Sequence, residues 1–117
     1  MSPARLSALS VIVYSEQITM SGLAAAEQVR LPTMSRLIAG MEHDGLVQRL
    51  SQSADARVVT VTPTAKGREA LRRGRRLRLT DLESRLETCS TQELADIQRA
   101  TTVLERLFGH HATRIED

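Results

Sequence analysis

Arg30 and Arg36 stand at the start of a stretch, RLPTMSRLIAGMEHDGL at 30–46, that is built to present them. Met34, Leu37, Ile38 and Met41 fall at i, i+3, i+4 and i+7. That spacing predicts an amphipathic helix with one apolar stripe, so Thr33, Arg36, Gly40 and His43 face outward. Small polar groups and a guanidinium on an outward helix face can approach base edges and phosphates closely, and Arg30 stands at the positive helix end. An ordinary surface helix would show the same pattern. Asp55 and Arg57, two residues apart near a hairpin tip, offer a second kind of chemistry. The carboxylate can hold the guanidinium by a charge-assisted bond and leave it aimed outward. An arginine on a narrow ribbon fits a minor groove, where negative potential is focused. A plain turn-stabilising ion pair reads the same way.

The elements that must position these residues follow from the rest of the chain. Ser2 and Pro3 look like an N-cap and first helical residue, opening a helix in which Leu6, Leu9 and Val13 repeat to about Glu16. Ile18 fits a very short strand. Thr19 or Ser21 then caps a small, closely packable helix, SGLAAAEQV, and VRLP turns into the 30–46 stretch, with Pro32 as its first helical residue. Helix, tight turn, helix is the result. Gly45 suits the left-handed position past a helix end. After it the period changes: LVQRL and RVVTVT read as strands around a six-residue tip, SQSADA, which makes a wing. Thr62 and Pro63 give another N-cap and first helical residue. The long helix they open has six arginines between Arg68 and Arg78 and an apolar seam at Leu79, Leu82 and Leu86. Ser90 and Glu93 form a capping box that starts a last helix, where Leu94, Ile97, Thr101, Leu104 and Phe108 repeat by threes and fours. Such a hairpin of helices can pair with its own copy.

The totals agree with a single small domain. The chain has 117 residues, of which 41% are apolar, with one Tyr, one Phe and no Trp. The scarcity of aromatics argues against a stacking platform for single-stranded nucleic acid. One cysteine excludes an intrachain disulfide framework. No apolar run approaches a membrane span, and the N-terminus lacks a signal-peptide layout, so no membrane partner and a cytoplasmic location are expected. Net charge is +2, but its distribution is uneven. Residues 30–78 hold eleven Lys or Arg against four acids, net +7; residues 1–29 are net −1 and residues 79–117 net −4. A basic middle third points to a polyanion. Catalysis is not expected: no nucleophile, base and orienting group form a motif, and Gly67 and Gly74 lack phosphate-loop spacing. Nor is a metal or other cofactor. His110 and His111, adjacent on a helix, point about 100° apart, and His43 stands alone.

Taken together, SPARLSAL, LAAAEQV, PTMSRLIAGMEHDGLV, Asp55-Ala56-Arg57 and VTPTAKG, in this order and spacing, resemble the winged helix-turn-helix of the MarR family of bacterial transcription regulators. The resemblance covers nearly the whole chain. It implies a mostly α fold with a small β-hairpin wing, a DNA-binding lobe at 1–62 and a dimerising helical hairpin at 63–117. It also implies a homodimer on double-stranded DNA with a pseudo-palindromic operator, acting as a repressor relieved by a small-molecule effector. By position, Pro32, Thr33, Ser35 and Arg36 would sit at the major groove, with Arg30 at the helix end and Arg36 favoured as a phosphate clamp. Arg57 would enter the minor groove, oriented by Asp55. Leu94, Ile97, Leu104 and Phe108 would close the dimer.

Three departures from the family pattern stand out. Met1 falls where the family's usual N-terminal dimerisation helix should end, so the expectation is a chain that has lost part of its dimer interface, a first helix that packs differently, or a start placed too late. Arg30 replaces a common capping Ser. Gly40 replaces the usual polar residue on the outward face, which is expected to thin the DNA contact. Cys89 reads as a structural or incidental thiol rather than a redox sensor. The alternative function is a shortened interaction protein that heterodimerises with a full-length regulator and modulates its DNA binding; the intact basic segment, Arg57 and PTMSR favour the regulator.

Overall fold

A computed structural model describes residues 1–52 and 55–109, with the side chains of Gln52, Asp55 and Ala56 outside the described set. Among the described residues five helices and three strands follow one another: α1 (Pro3–Ser15), β1 (Ile18–Thr19), α2 (Met20–Ala26), α3 (Leu31–His43), β2 (Val47–Gln52), β3 (Asp55–Pro63), α4 (Ala65–Leu86) and α5 (Thr91–Phe108). The chain divides into two compact units, residues 1–75 and the part from Arg76 on.

Local chemistry starts most of the helices. The Ser2 hydroxyl accepts the Arg5 N–H at 3.2 Å, with Pro3 in the first turn of α1. Thr19, not Ser21, caps α2, accepting the Gly22 N–H at 3.0 Å. At α5 both halves of the capping box form: Glu93 N–H to Ser90 Oγ at 3.1 Å and Ser90 N–H to Glu93 Oε1 at 2.9 Å. α3 begins at Leu31, with Pro32 one position inside, and Arg30 at its N-cap makes no side-chain cap. Past the other end Gly45 adopts φ 77°, the left-handed conformation expected there.

The first unit has one apolar core. Leu6, Ala8, Leu9 and Ile12 of α1 meet Leu23 of α2 and Met34, Ile38 and Met41 of α3, closed below by Val47, Val61 and Leu71. The expected stripe of α3 is therefore buried, apart from Leu37 at its edge. The three strands form one antiparallel sheet in the order β1-β3-β2, with Ile18 opposite Val61 and Arg49 also opposite Val61 from the other side.

Two expectations are corrected. The wing strands are longer than read: β2 reaches Gln52 and β3 begins at Asp55, with Gln52 opposite Asp55 after a register irregularity at Ser51/Gln52. Thr62 and Pro63 do not open a helix. Pro63 ends β3 opposite Val47, a terminal strand position a proline tolerates, and α4 starts two residues later. Thr64 performs the capping: its Oγ1 accepts the Gly67 N–H at 3.0 Å while donating to the Gly45 carbonyl at 2.6 Å.

Among the described residues, the second unit holds the remainder of α4, a short turn and α5. Its exposed polar face is laced by neighbouring pairs, Arg85 to Asp81 at 3.0 Å and Arg99 to Asp96. No side chain of α5 is buried.

Candidate nucleic-acid interface

The amino-terminal half of α3 stands between two hollows. On the wing side, a groove of about 330 Å³ is bordered by Thr19, Ser21, Leu31, Ser35, Arg49, Arg57 and Val58. On the other side, a hollow of about 730 Å³ is bordered by Ala4, Arg5, Glu27, Val29, Thr33, Arg36 and Leu37. A helix ridge flanked by two depressions, with cations on both rims, is a shape that can enter a groove of duplex DNA.

Arg30, Pro32, Thr33 and Arg36 are exposed, and Ser35 is half-buried at the rim of the wing-side groove. Without a side-chain cap at Arg30, the first N–H groups of α3 stay open to an anion. The Arg36 Nε lies 3.5 Å from the Pro32 carbonyl oxygen, a long contact that leaves its head at the surface. Arg57 is exposed on β3 and shares the wing-side groove with Ser35. The wing and α3 thus border one groove. The expected orienting carboxylate of Asp55 lies outside the described residues. Leu94, Ile97, Leu104 and Phe108 are all exposed on α5, in the second unit.

Two residues of this surface escaped the sequence reading. Arg49, on β2, lies on the same groove as Arg57, and Glu42 at the end of α3 holds it. The Glu42 carboxylate accepts the Arg49 backbone N–H and its Nε, each at 3.0 Å. The signal was a lone cation seven residues after a carboxylate, across a change of periodicity. Arg5, on α1, is the other; it donates to Asp44 at 2.5 Å. Gly40, read as an open outward position, lies beneath its guanidinium.

The Arg49 backbone N–H, then its side chain, hold the Glu42 carboxyl below its ordinary pKa. A carboxylate so depressed contributes stability above its unfolded pKa, which is lost as pH falls through the folded one. Acid titration of thermal stability should therefore show a loss beginning below about pH 4.3, and Glu42→Gln should remove that part of the slope. A Gln variant with the wild-type slope would assign it to other carboxylates.

The comparisons with known proteins fit this geometry. The MarR family model matches residues 1–59. An HTH-type transcriptional regulator of Mycobacterium tuberculosis is 36% identical over 103 residues, covering 88% of this chain and 71% of the relative. Among solved structures, Streptococcus pneumoniae FabT in complex with DNA superposes with a TM-score of 0.69 at 25% identity, covering 92% of this chain and 76% of that one. Escherichia coli MarR complexed with operator DNA superposes with a TM-score of 0.67 at 24% identity, covering 89% and 75%; at that identity the likeness speaks for the fold. Among the described residues no helix is long and apolar enough to cross a membrane. A family model over half of the sequence, and a relative that keeps more than a third of its residues along most of it, place the chain in the MarR family of DNA-binding, non-catalytic transcription regulators.

Proposed function

We propose that the protein is a homodimeric repressor that reads a pseudo-palindromic operator and is released by a small-molecule effector, acting in the cytoplasm where its DNA partner lies. Residues 1–62 form the reading lobe and residues 63–117 the dimerising part. The observation that carries this reading is the shared groove: Ser35 of α3 and Arg49 and Arg57 of the wing border one depression beside an exposed helix ridge. On this reading Pro32, Thr33 and Ser35 approach the major-groove base edges, Arg36 clamps a phosphate, Arg30 meets one at the helix end, and Arg57 enters the minor groove with Asp55 as its orienting carboxylate. Support for DNA as the partner comes from the fold shared with two relatives solved on DNA.

The test is selection of duplexes from a random-sequence library by the intact chain, followed by titration of the selected duplex with variants. Arg57→Ala should weaken binding by roughly tenfold, the lower part of the range for a specific groove contact, and leave the thermal midpoint nearly unchanged because Arg57 is exposed and surface pairs contribute little to stability. Unchanged affinity at physiological salt would remove Arg57 from the interface.

A further inference from the structure

The outward stripe of α3 carries Thr33, Arg36 and Gly40 and continues to the C-cap residue Asp44, and at Gly40 it has no side chain of its own. The space is filled from another helix. A Cβ on Gly40 would stand 2.7 Å from the Nη2 nitrogen of Arg5, well inside van der Waals contact, so the seat of this guanidinium exists because residue 40 is glycine. Its Nη1 nitrogen donates to Asp44 Oδ2 at 2.5 Å, four residues further along the same stripe. Arg5 therefore crosses from α1 and lies along the recognition helix where a side chain of residue 40 would project.

A clamp between helices and a cation for DNA are different uses of such an arginine. A pure clamp would spend its donors on protein acceptors. Among the described residues the Arg5 side chain has one, Asp44, and the remaining guanidinium N–H groups have none. The side chain keeps 29% of its surface exposed and borders the same hollow as Thr33 and Arg36. A guanidinium has five donors in a planar fork, so one bond to Asp44 fixes the head while others face outward.

We infer that Arg5 is a DNA-contacting residue: a phosphate-binding cation that α1 delivers to the face of α3 left open by Gly40, with Asp44 fixing its head. The inference rests on the reading of α3 as the helix that enters the groove. It reverses the expectation that Gly40 thins the contact, since the glycine admits a cation instead of lacking one.

The experiment uses the intact chain and the selected duplex, titrated at several salt concentrations. Arg5→Ala should weaken binding about tenfold and lower the slope of log affinity against log salt by about one, the signature of one lost phosphate contact. The lobe should still fold, because a half-exposed ion pair contributes little to stability. Gly40→Ala gives the second reading. Its methyl displaces only the flexible end of Arg5, so the thermal midpoint should hold or rise with the better helix former, while affinity falls about threefold. In the Arg5→Ala background, Gly40→Ala should leave affinity unchanged. An unchanged salt slope for Arg5→Ala, or the same effect of Gly40→Ala in both backgrounds, overturns the assignment. Arg57→Ala run alongside separates the two failures. A response to Arg57→Ala without one to Arg5→Ala rejects Arg5 alone, whereas no response to either rejects the DNA surface itself.

Discussion

Gly67→Ala is expected to destabilise the amino-terminal unit by about 3 kcal/mol, although alanine is the better helix former. A Cβ at position 67 would run into the carbonyl oxygen of Leu46 and stand 3.0 Å from its carbonyl carbon. Unlike the end of an arginine, this obstacle is backbone, and it is tied in place. The Leu46 oxygen accepts the Thr64 N–H at 3.1 Å, the Gly45 oxygen accepts the Thr64 hydroxyl at 2.6 Å, and that hydroxyl caps α4 through the Gly67 N–H. Lys66 adds a bond to the Asp44 carbonyl at 2.8 Å. Making room for one methyl means lifting the first turn of α4 off the corner that ends α3. Overpacking of this kind costs about 1–3 kcal/mol, each weakened hydrogen bond adds about 1 kcal/mol, and the helix preference returns only about 1 kcal/mol. For a unit of this size the midpoint should fall by roughly 10–20 °C, read by circular dichroism on heating. A midpoint equal to or above that of the wild type would show that α4 does not rest on Leu46.

Glycine 67 and glycine 40 show how far the sequence alone can be read. Both look like weak points in helices when only propensity is weighed. Their reason lies in residues 21 and 35 positions away, Leu46 and Arg5, and no local pattern carries that information. The same holds for Thr62-Pro63. The pair satisfies the rule for a helix start, yet the competing claim of the β2–β3 ladder wins, and the cap passes to Thr64, whose bonds reach back to the Gly45–Leu46 corner. Where the decisive interaction is periodic or within four residues, the reading holds: the buried stripe of α3, the Ser2 cap, the Ser90–Glu93 box and Gly45 all stand where expected. The candidate site divides along the same line. Arg36 and Arg57 could be nominated from their own neighbours, while Arg49 and Arg5 come to notice only through the partners that the fold supplies, Glu42 and Asp44.

The second large effect concerns α5, and it separates folding from assembly. Leu94, Ile97, Leu104 and Phe108 repeat along this helix at heptad-like spacing, yet Leu104 keeps 53% and Phe108 74% of its surface exposed. An apolar stripe of this length, left uncovered by the described chain, marks a surface for a protein partner, and the proposed occupant is a second copy. Leu104→Asp should therefore leave the folded monomer nearly unchanged, since nothing there is buried to lose. In a two-fold interface the substitution counts twice. Losing two buried leucines at about 2 kcal/mol each raises the dimer dissociation constant roughly a thousandfold, before any cost of placing two carboxylates in the seam. Sedimentation equilibrium should find monomers at micromolar concentration, and binding to a duplex with two half-sites should fall to the level of one half-site. The far-ultraviolet helix signal should persist, because the exposed pairs and the capping box of α5 are untouched. An intact dimer of Leu104→Asp would move the interface off this seam, and the weak single-half-site binding expected of it would then have to be absent as well.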